Sequence, residues 1–274
     1  MQDFKTRAEF ETEIEYENYL TELKITNRNE QVGELGYYDC KECLNKGHIF
    51  YGELDYRNIL QTKIKTCKCI TTRKIYTTLE KSGIEKSLFE KSTIGNFKAT
   101  EEWQVMIKES VEKFIGGEYE KEWFVISGGS GSGKTHLCTA IFQHLIMQGK
   151  DAKYMLWKEE ITKLKQMKKS SHTDNIAKYE NELARLTSVE VLYIDDFLKL
   201  MNDYSKNEDL DLAFEILNKR YSKNLTTIIS TEFMKSEIFE FDNAVCGRIN
   251  EKAIWQQIKN ETNRNYRMKD NELI

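Results

Sequence analysis

Gly128-Gly129-Ser130-Gly131-Ser132-Gly133-Lys134-Thr135 is the stretch on which the reading of this chain turns. It satisfies the pattern GxxxxGK[ST], and its flanks are those such a loop requires. Trp123 to Ser127 is a short apolar run with strand character; Thr135 to Met147 carries Leu137, Ala140 and Ile141 at helical spacing. Glycines let the backbone curl so that its N–H groups converge, with the positive end of the following helix behind them. A loop of that shape cradles phosphate. The expected nucleotide site is therefore Gly128, Gly129, Ser130, Gly131, Ser132, Gly133, Lys134 and Thr135. Lys134 would bridge the β- and γ-phosphates, and the Thr135 hydroxyl would ligate Mg²⁺.

Downstream, Val191-Leu192-Tyr193-Ile194-Asp195-Asp196 is an apolar strand that ends in two carboxylates. Beside a phosphate loop, Asp195 would hold the Mg²⁺ shell and Asp196 would orient or deprotonate an attacking water. Glu is commoner than Asp at the second position, and the shorter side chain predicts slow basal hydrolysis. Around these two motifs strands and helices alternate. Lys153 to Trp157 and Thr226 to Thr231 read as two more strands, making four. Residues 158–187 read as two charged helices, and Leu210, Ala213, Phe214, Leu217 and Tyr221 share one helical face. The pattern predicts an α/β domain over residues 99–274, with a parallel sheet between helices.

The 274 residues hold 39% hydrophobic and 31% charged side chains, a formal charge of −4 and no proline. No apolar run approaches the roughly 20 residues of a membrane span, and the first thirty residues lack a secretory h-region. These features predict a cytosolic protein without a membrane partner, and the charge argues against a chain that coats nucleic acid everywhere while leaving local basic patches open. Cys138 and Cys246 are isolated and read as buried, inert thiols.

The other four cysteines form two tight pairs, Cys40/Cys43 and Cys67/Cys69, separated by a β-prone segment at 48–66. In a cytosolic chain such pairs point to metal before disulfides. Four thiolates would close a structural Zn²⁺ site with no open position, in a zinc-ribbon-like arrangement with a hairpin between the knuckles. His48 could replace one thiolate, because Cys-x-Cys is tighter than the usual second knuckle. His136, His144 and His172 lack metal spacing and read as structural or exposed. Ahead of the cysteines, residues 1 to about 26 read as an amphipathic helix carrying Phe10, Ile14, Leu20 and Leu23. The expected organisation is 1–82, the helix and cysteine module; 83–98, a linker; and 99–274, the nucleotide-binding domain.

Seven features in order carry a resemblance: the cysteine module, the segment IEKSLFEKSTIGNF, GGSGSGKTHL, VLYIDDF, TTIISTE, Gly247-Arg248-Ile249 and Asn265-Tyr266-Arg267. Together they resemble the bacterial and phage replicative-helicase loaders of the DnaC/DnaI type over roughly residues 40 to 268. Those are AAA+ ATPases related to the initiator DnaA and the transposition helper IstB. The resemblance implies ATP as the nucleotide, sensor 1 at Ser230, Thr231 and Glu232, and Phe97 in the segment beside the adenine. Packing of Phe97 wholly in the core is the alternative. It further implies that Arg248 reaches a neighbouring subunit's γ-phosphate in a ring or spiral of copies, and that Arg267 acts as sensor 2 in cis. Glu232 departs from the Asn common at sensor 1. The partner implied for the cysteine module is a DnaB-type hexameric helicase. In DnaA- and DnaC-like proteins the helical element between the second strand and the acidic strand motif, here residues 191–196, contacts single-stranded DNA. Here that element holds Lys158, Lys163, Lys165, Lys168 and Lys169 against only Glu159 and Glu160, which suits a backbone-tracking groove or a solvated lysine face. The expected function is ATP-dependent loading of the helicase onto single-stranded DNA. An IstB-like transposition ATPase and a helicase adaptor or inhibitor with negligible hydrolysis are the alternatives.

Overall fold

The computed structural model describes residues 5–36, 39–170, 172–199, 206–259 and 264. The chain forms two compact units, Met1–Thr77 and Thr78–Ile274.

In the first unit, helix α1 (Glu13–Glu30) starts at Thr12, whose side chain accepts from the Glu15 N–H while Glu15 reaches back to the Thr12 N–H. This capping box places the helix later than the expected 1–26. Phe10 precedes it, with its ring on Tyr16 and Tyr19 at 5.6 and 5.1 Å. Strands β1 (His48–Leu54) and β2 (Leu60–Thr66) pair antiparallel from His48↔Thr66 to Leu54↔Leu60. Two asparagines of α1 hold the hairpin by its backbone. Asn18 donates to Asn58 O at 2.9 Å and accepts from Leu60 N at 2.7 Å; Asn29 exchanges both bonds with Phe50 at 2.8 and 3.0 Å. Helix α2 (Cys69–Ser82) opens on the last cysteine of the module.

The segment expected as a linker is structured. Helix α3 (Lys86–Lys91) occupies its middle, Phe89 is buried, and Gln143 donates to Phe89 O at 2.8 Å. Its spacing hid this, because one short helix turn offers too few apolar positions for periodicity to show.

Helix α4 (Glu102–Ile115) leads into a five-stranded sheet. In chain order the sheet's elements are β3 (Trp123–Gly128), α5 (Lys134–Met147), β4 (Ala152–Leu156), α6 (Trp157–Lys169), α7 (Thr173–Leu186), β5 (Val191–Asp195), α8 (Lys206–Ser222), β6 (Thr226–Thr231), α9 (Lys235–Phe241), α10 (Asn243–Lys252) and β7 (Ala253–Ile258). The spatial order is β4-β5-β6-β3-β7, with every pairing parallel. The four strands read from the sequence are present, and β7 is a fifth that was missed. Its residues Ala253-Ile254-Trp255-Gln256-Gln257-Ile258 carry two glutamines among the apolar positions, and they follow the Arg248 helix without a glycine or proline to mark the break. β3 and β5 are buried along their whole length, as parallel strands covered on both faces are.

Arg220 at the end of α8 locks that helix to the sheet. Its fully buried guanidinium donates to the carbonyls of Leu186, Val189 and Thr226 at 2.9, 2.9 and 2.7 Å and to Thr227 Oγ1 at 3.0 Å. Burial pushes its pKa down to about 9, so it remains charged at neutral pH.

A phosphate-loop cavity and a four-cysteine knuckle

The carboxyl ends of β3, β5 and β6 converge where open parallel sheets bind ligands. Between them lies a cavity of about 420 Å³ lined by Asn96, Phe97 and Lys98, by Ser130 through His136, and by Asp196, Lys199 and Glu232. The loop from Ser130 to Thr135 forms its floor and enters α5 through Gly133, whose φ of +89° favours glycine. Gly128 and Gly129 stand behind it. Gly128 serves the sheet: a Cβ there would lie 2.6 Å from Ile258 O on β7. Gly129 O accepts from Lys134 Nζ and Ser132 Oγ, both at 2.8 Å, which keeps the loop closed and the ammonium inside it. Burial lowers the Lys134 pKa, and the charges of Glu232 and Asp196 oppose that shift.

Asp195 is surrounded by hydroxyls. Oδ1 accepts from Thr135 Oγ1 at 3.2 Å, Tyr193 OH at 2.9 Å and Ser230 Oγ; Oδ2 accepts from Tyr154 OH at 3.1 Å. Burial and the adjacent carboxylate raise both tyrosine pKa values, so the phenols stay donors. The contact of Asp195 with Thr135 joins the two side chains expected around Mg²⁺. Tyr154 and Tyr193 were missed, since a tyrosine on an apolar strand reads as core.

Of the three positions expected for sensor 1, the cavity receives only Glu232. Ser230 turns to β5, bonding Asp195 and accepting from the Asp196 N–H at 3.0 Å. Thr231 Oγ1 donates to Phe197 O at 2.9 Å. Both are fully buried and shape the turn after β5. That turn carries Asp196 at φ +55° and Leu198 at φ +61°, and it brings Lys199 back over Asp196. Lys199 Nζ is 3.1 Å from Asp196 and 3.2 Å from Glu232.

Phe97 satisfies both readings weighed for it, being buried and at the cavity edge. His136 lines the cavity, with Nε2 2.8 Å from Thr93 O and its ring 5.6 Å from that of Phe97. Arg248 lies half-buried on Phe214 at 4.3 Å, donating through Nε to Asn218 at 2.7 Å and through Nη1 to Ala244 O at 3.0 Å. Arg267 lies outside the described residues. Cys138 and Cys246 are both buried, and burial raises both thiol pKa values.

The fold changes the charge count on α6. Lys165 pairs with Asp209 at 2.5 Å and Glu208 at 3.8 Å, and Lys169 pairs with Glu208 at 2.8 Å. Lys163 sits 3.7 Å from Glu160, and Lys168 lies over the Tyr179 ring at 6.0 Å. The positive excess expected from the local sequence is thus largely offset by acids that α8 contributes from forty residues away.

In the first unit the hairpin brings the cysteine pairs together. All four Sγ atoms lie within 4.8 Å of one another, with Cys40–Cys67 at 3.7 Å and Cys43–Cys69 at 3.5 Å. Metal–sulfur bonds of about 2.3 Å give tetrahedral S–S edges of about 3.8 Å, so the set fits a tetrahedral ion. His48 is outside the cluster, edge-on to Phe50. The Gly47 N–H donates to Cys43 Sγ at 3.3 Å. Burial raises the Cys43 pKa, but this bond and the neighbouring thiols outweigh it and bring the value to about 7. Asn45, at φ +64°, accepts from the Cys40 N–H at 2.9 Å and from Arg73 at 2.8 Å, fixing the knuckle. Among the described residues of this unit, the four cysteines are the only buried apolar side chains.

A parallel sheet between helices, with a phosphate loop on the first strand of its domain and paired carboxylates two strands away, defines an AAA+ P-loop nucleotide-binding protein. Residues 106–271, more than half of the chain, match the profile of the IstB-like ATP binding protein family, and the chain belongs to that family. Three relatives are similar in sequence. The uncharacterized protein YqaM of Bacillus subtilis is 33% identical over 69% of this chain and 61% of its own length. The phage-like element PBSX protein XkdC of Bacillus subtilis is 30% identical over 78% of this chain and 79% of its own. The replicative helicase loader DnaC of Buchnera aphidicola is 29% identical over 56% of this chain and 60% of its own. The chain therefore spans only about three-fifths of two of these relatives. Two solved structures share the fold. The DnaC helicase loader aligns at a TM-score of 0.52 and 19% identity, covering 64% of this chain and 100% of that one. DnaI aligns at 0.51 and 20% identity, covering 66% and 94%. Among the described residues, no helix is long and apolar enough to cross a membrane.

Proposed function

We propose that this protein is an ATPase that loads a DnaB-type replicative helicase onto single-stranded DNA in the bacterial cytosol. The observation that carries the reading is the meeting of Lys134, the Thr135–Asp195 pair, Asp196 and Glu232 around one cavity, in a chain similar to helicase loaders. Thr135 and Asp195 would hold Mg²⁺, which supplies charge neutralisation at the phosphates. Lys134 steadies the β- and γ-phosphates, Asp196 orients the attacking water, and Phe97 with Asn96 borders the base. Arg248 completes the site of an adjoining copy in a ring or spiral; its bonds to Asn218 and Ala244 pre-orient the guanidinium, which saves ordering entropy when it meets a phosphate. Its contact with Phe214 also supports a purely intramolecular role, which a trans-complementation assay separates.

Cys40, Cys43, Cys67 and Cys69 would hold Zn²⁺, whose binding would stabilise the first unit as a folded recognition surface for the helicase. DNA contact falls to the exposed face of α6, through Lys163 and Lys168, with Lys165 and Lys169 held by acids. The family match lies within the ATPase unit, which leaves an IstB-like transposition helper as the second reading. Affinity capture of the host's replicative helicase, together with phosphate release with and without single-stranded DNA, tests the proposal. Retention of the helicase and DNA-stimulated turnover are expected. A chain that hydrolyses ATP yet captures no helicase in any nucleotide state supports the transposition helper instead.

A further inference from the structure

The nucleotide cavity contains a group that neither the phosphate loop nor the paired carboxylates account for. Glu232 places a negative charge at the end of β6, on the wall that a γ-phosphate would approach, and Asp196 adds a second. Lys199 joins them, with Nζ 3.1 Å from Asp196 Oδ2 and 3.2 Å from Glu232 Oε1. This is no loose surface pair. The turn that carries Lys199 is anchored by the fully buried Phe197 and Leu198, by the Phe197 N–H to Ser230 O at 2.8 Å, and by Thr231 Oγ1 to Phe197 O at 2.9 Å. The Lys199 N–H closes on Asp196 O at 2.9 Å. Burial works against the charge on Lys199, but its bonds to the two carboxylates outweigh that and raise its pKa.

We propose that Lys199 is a positioning residue of the nucleotide site: it offsets half of the charge of Glu232 and Asp196 so that their wall tolerates a triphosphate, and it selects triphosphate over diphosphate. The proposal deepens the nucleotide-binding reading and rests on it. Without the ammonium, the two carboxylates of Asp196 and Glu232 would face the terminal phosphate uncompensated, with Lys134 as the cation provided by the loop. A diphosphate leaves the γ position empty and should be far less affected, because Coulomb repulsion falls with distance and is screened at the open side of the cavity.

The test measures binding of ADP and of a non-hydrolysable ATP analogue, with Mg²⁺, to the wild type, Lys199→Met, Glu232→Gln and the double variant. Lys199→Met should weaken the triphosphate analogue by about tenfold or more, while ADP affinity changes by no more than about twofold. Adding Glu232→Gln should restore most of the loss. Retained ADP binding in Lys199→Met also serves as the control for folding. The inference is overturned if Lys199→Met binds both nucleotides like the parent, if it weakens both equally, or if Glu232→Gln restores nothing. A wild type that binds neither nucleotide would instead overturn the nucleotide reading itself, and this inference with it.

Discussion

Asp195 and Asp196 are neighbours with opposite surroundings, and the difference suits the separate roles proposed for them. Asp195 is buried at the end of β5 and accepts four hydroxyl donors, so its carboxylate is fixed in direction and aimed at Thr135. Asp196 occupies a left-handed backbone position at φ +55° and opens onto the cavity. Asparagine tolerates that conformation better than most residues, so Asp196→Asn should fold normally and bind nucleotide. Lacking a carboxylate to orient water, it should hydrolyse ATP about 10²-fold or more slowly. Phosphate release measured beside nucleotide affinity checks this, and wild-type turnover would remove Asp196 from the chemistry. Both aspartates were legible as the end of an apolar strand. Tyr154 and Lys199 were not, because Tyr154 acquires its role only through Asp195, 41 positions away, and Lys199 only through the turn after β5 and Glu232.

Among the elements, α8 is tied to the sheet by a buried cation as well as by its apolar face. Arg220 satisfies the carbonyls that close α7, open β5 and start β6, and among the described residues no carboxylate pairs with it. Methionine at this position would fill much of the volume but leave several buried carbonyls unpaired, each costing about 1–3 kcal/mol. Arg220→Met should therefore lower stability by about 3 kcal/mol or more, read as a fall in the denaturant midpoint. A midpoint within error of the parent would show that water reaches these carbonyls. The same scale explains the missed elements. α3 is too short for a period to show. β7 depends on its register with β3, where Gly128 lets Ile258 approach. The lysines of α6 looked unopposed only because α8 is remote in sequence.

At the scale of the molecule, the two units draw on different sources of stability. The second buries an apolar core on both faces of its sheet, whereas the first, among its described residues, buries only its four cysteines as apolar side chains. A unit of fewer than eighty residues with so small a core needs a staple, and metal–thiolate bonds would supply most of its folding free energy. Chelation of the full chain should unfold the first unit and expose four rapidly titrating thiols, while nucleotide binding by the second persists. Circular dichroism, thiol titration and nucleotide binding on one sample read all three. Unchanged spectra after complete metal removal would show that the hairpin and α1 suffice alone.

The order of motifs along the chain carried the nucleotide class, the parallel α/β plan and the four-cysteine module. Each is written in local spacing: glycines before a helix, carboxylates after an apolar run, thiols at knuckle intervals. What the chain order could not carry was which polar and charged side chains meet. Lys199 with Glu232, Lys165 with Asp209 and Arg248 with Asn218 are separated by thirty or more residues. Coulomb and hydrogen-bond energies depend on distance in space, and that distance exists only once the sheet has brought its strand ends together.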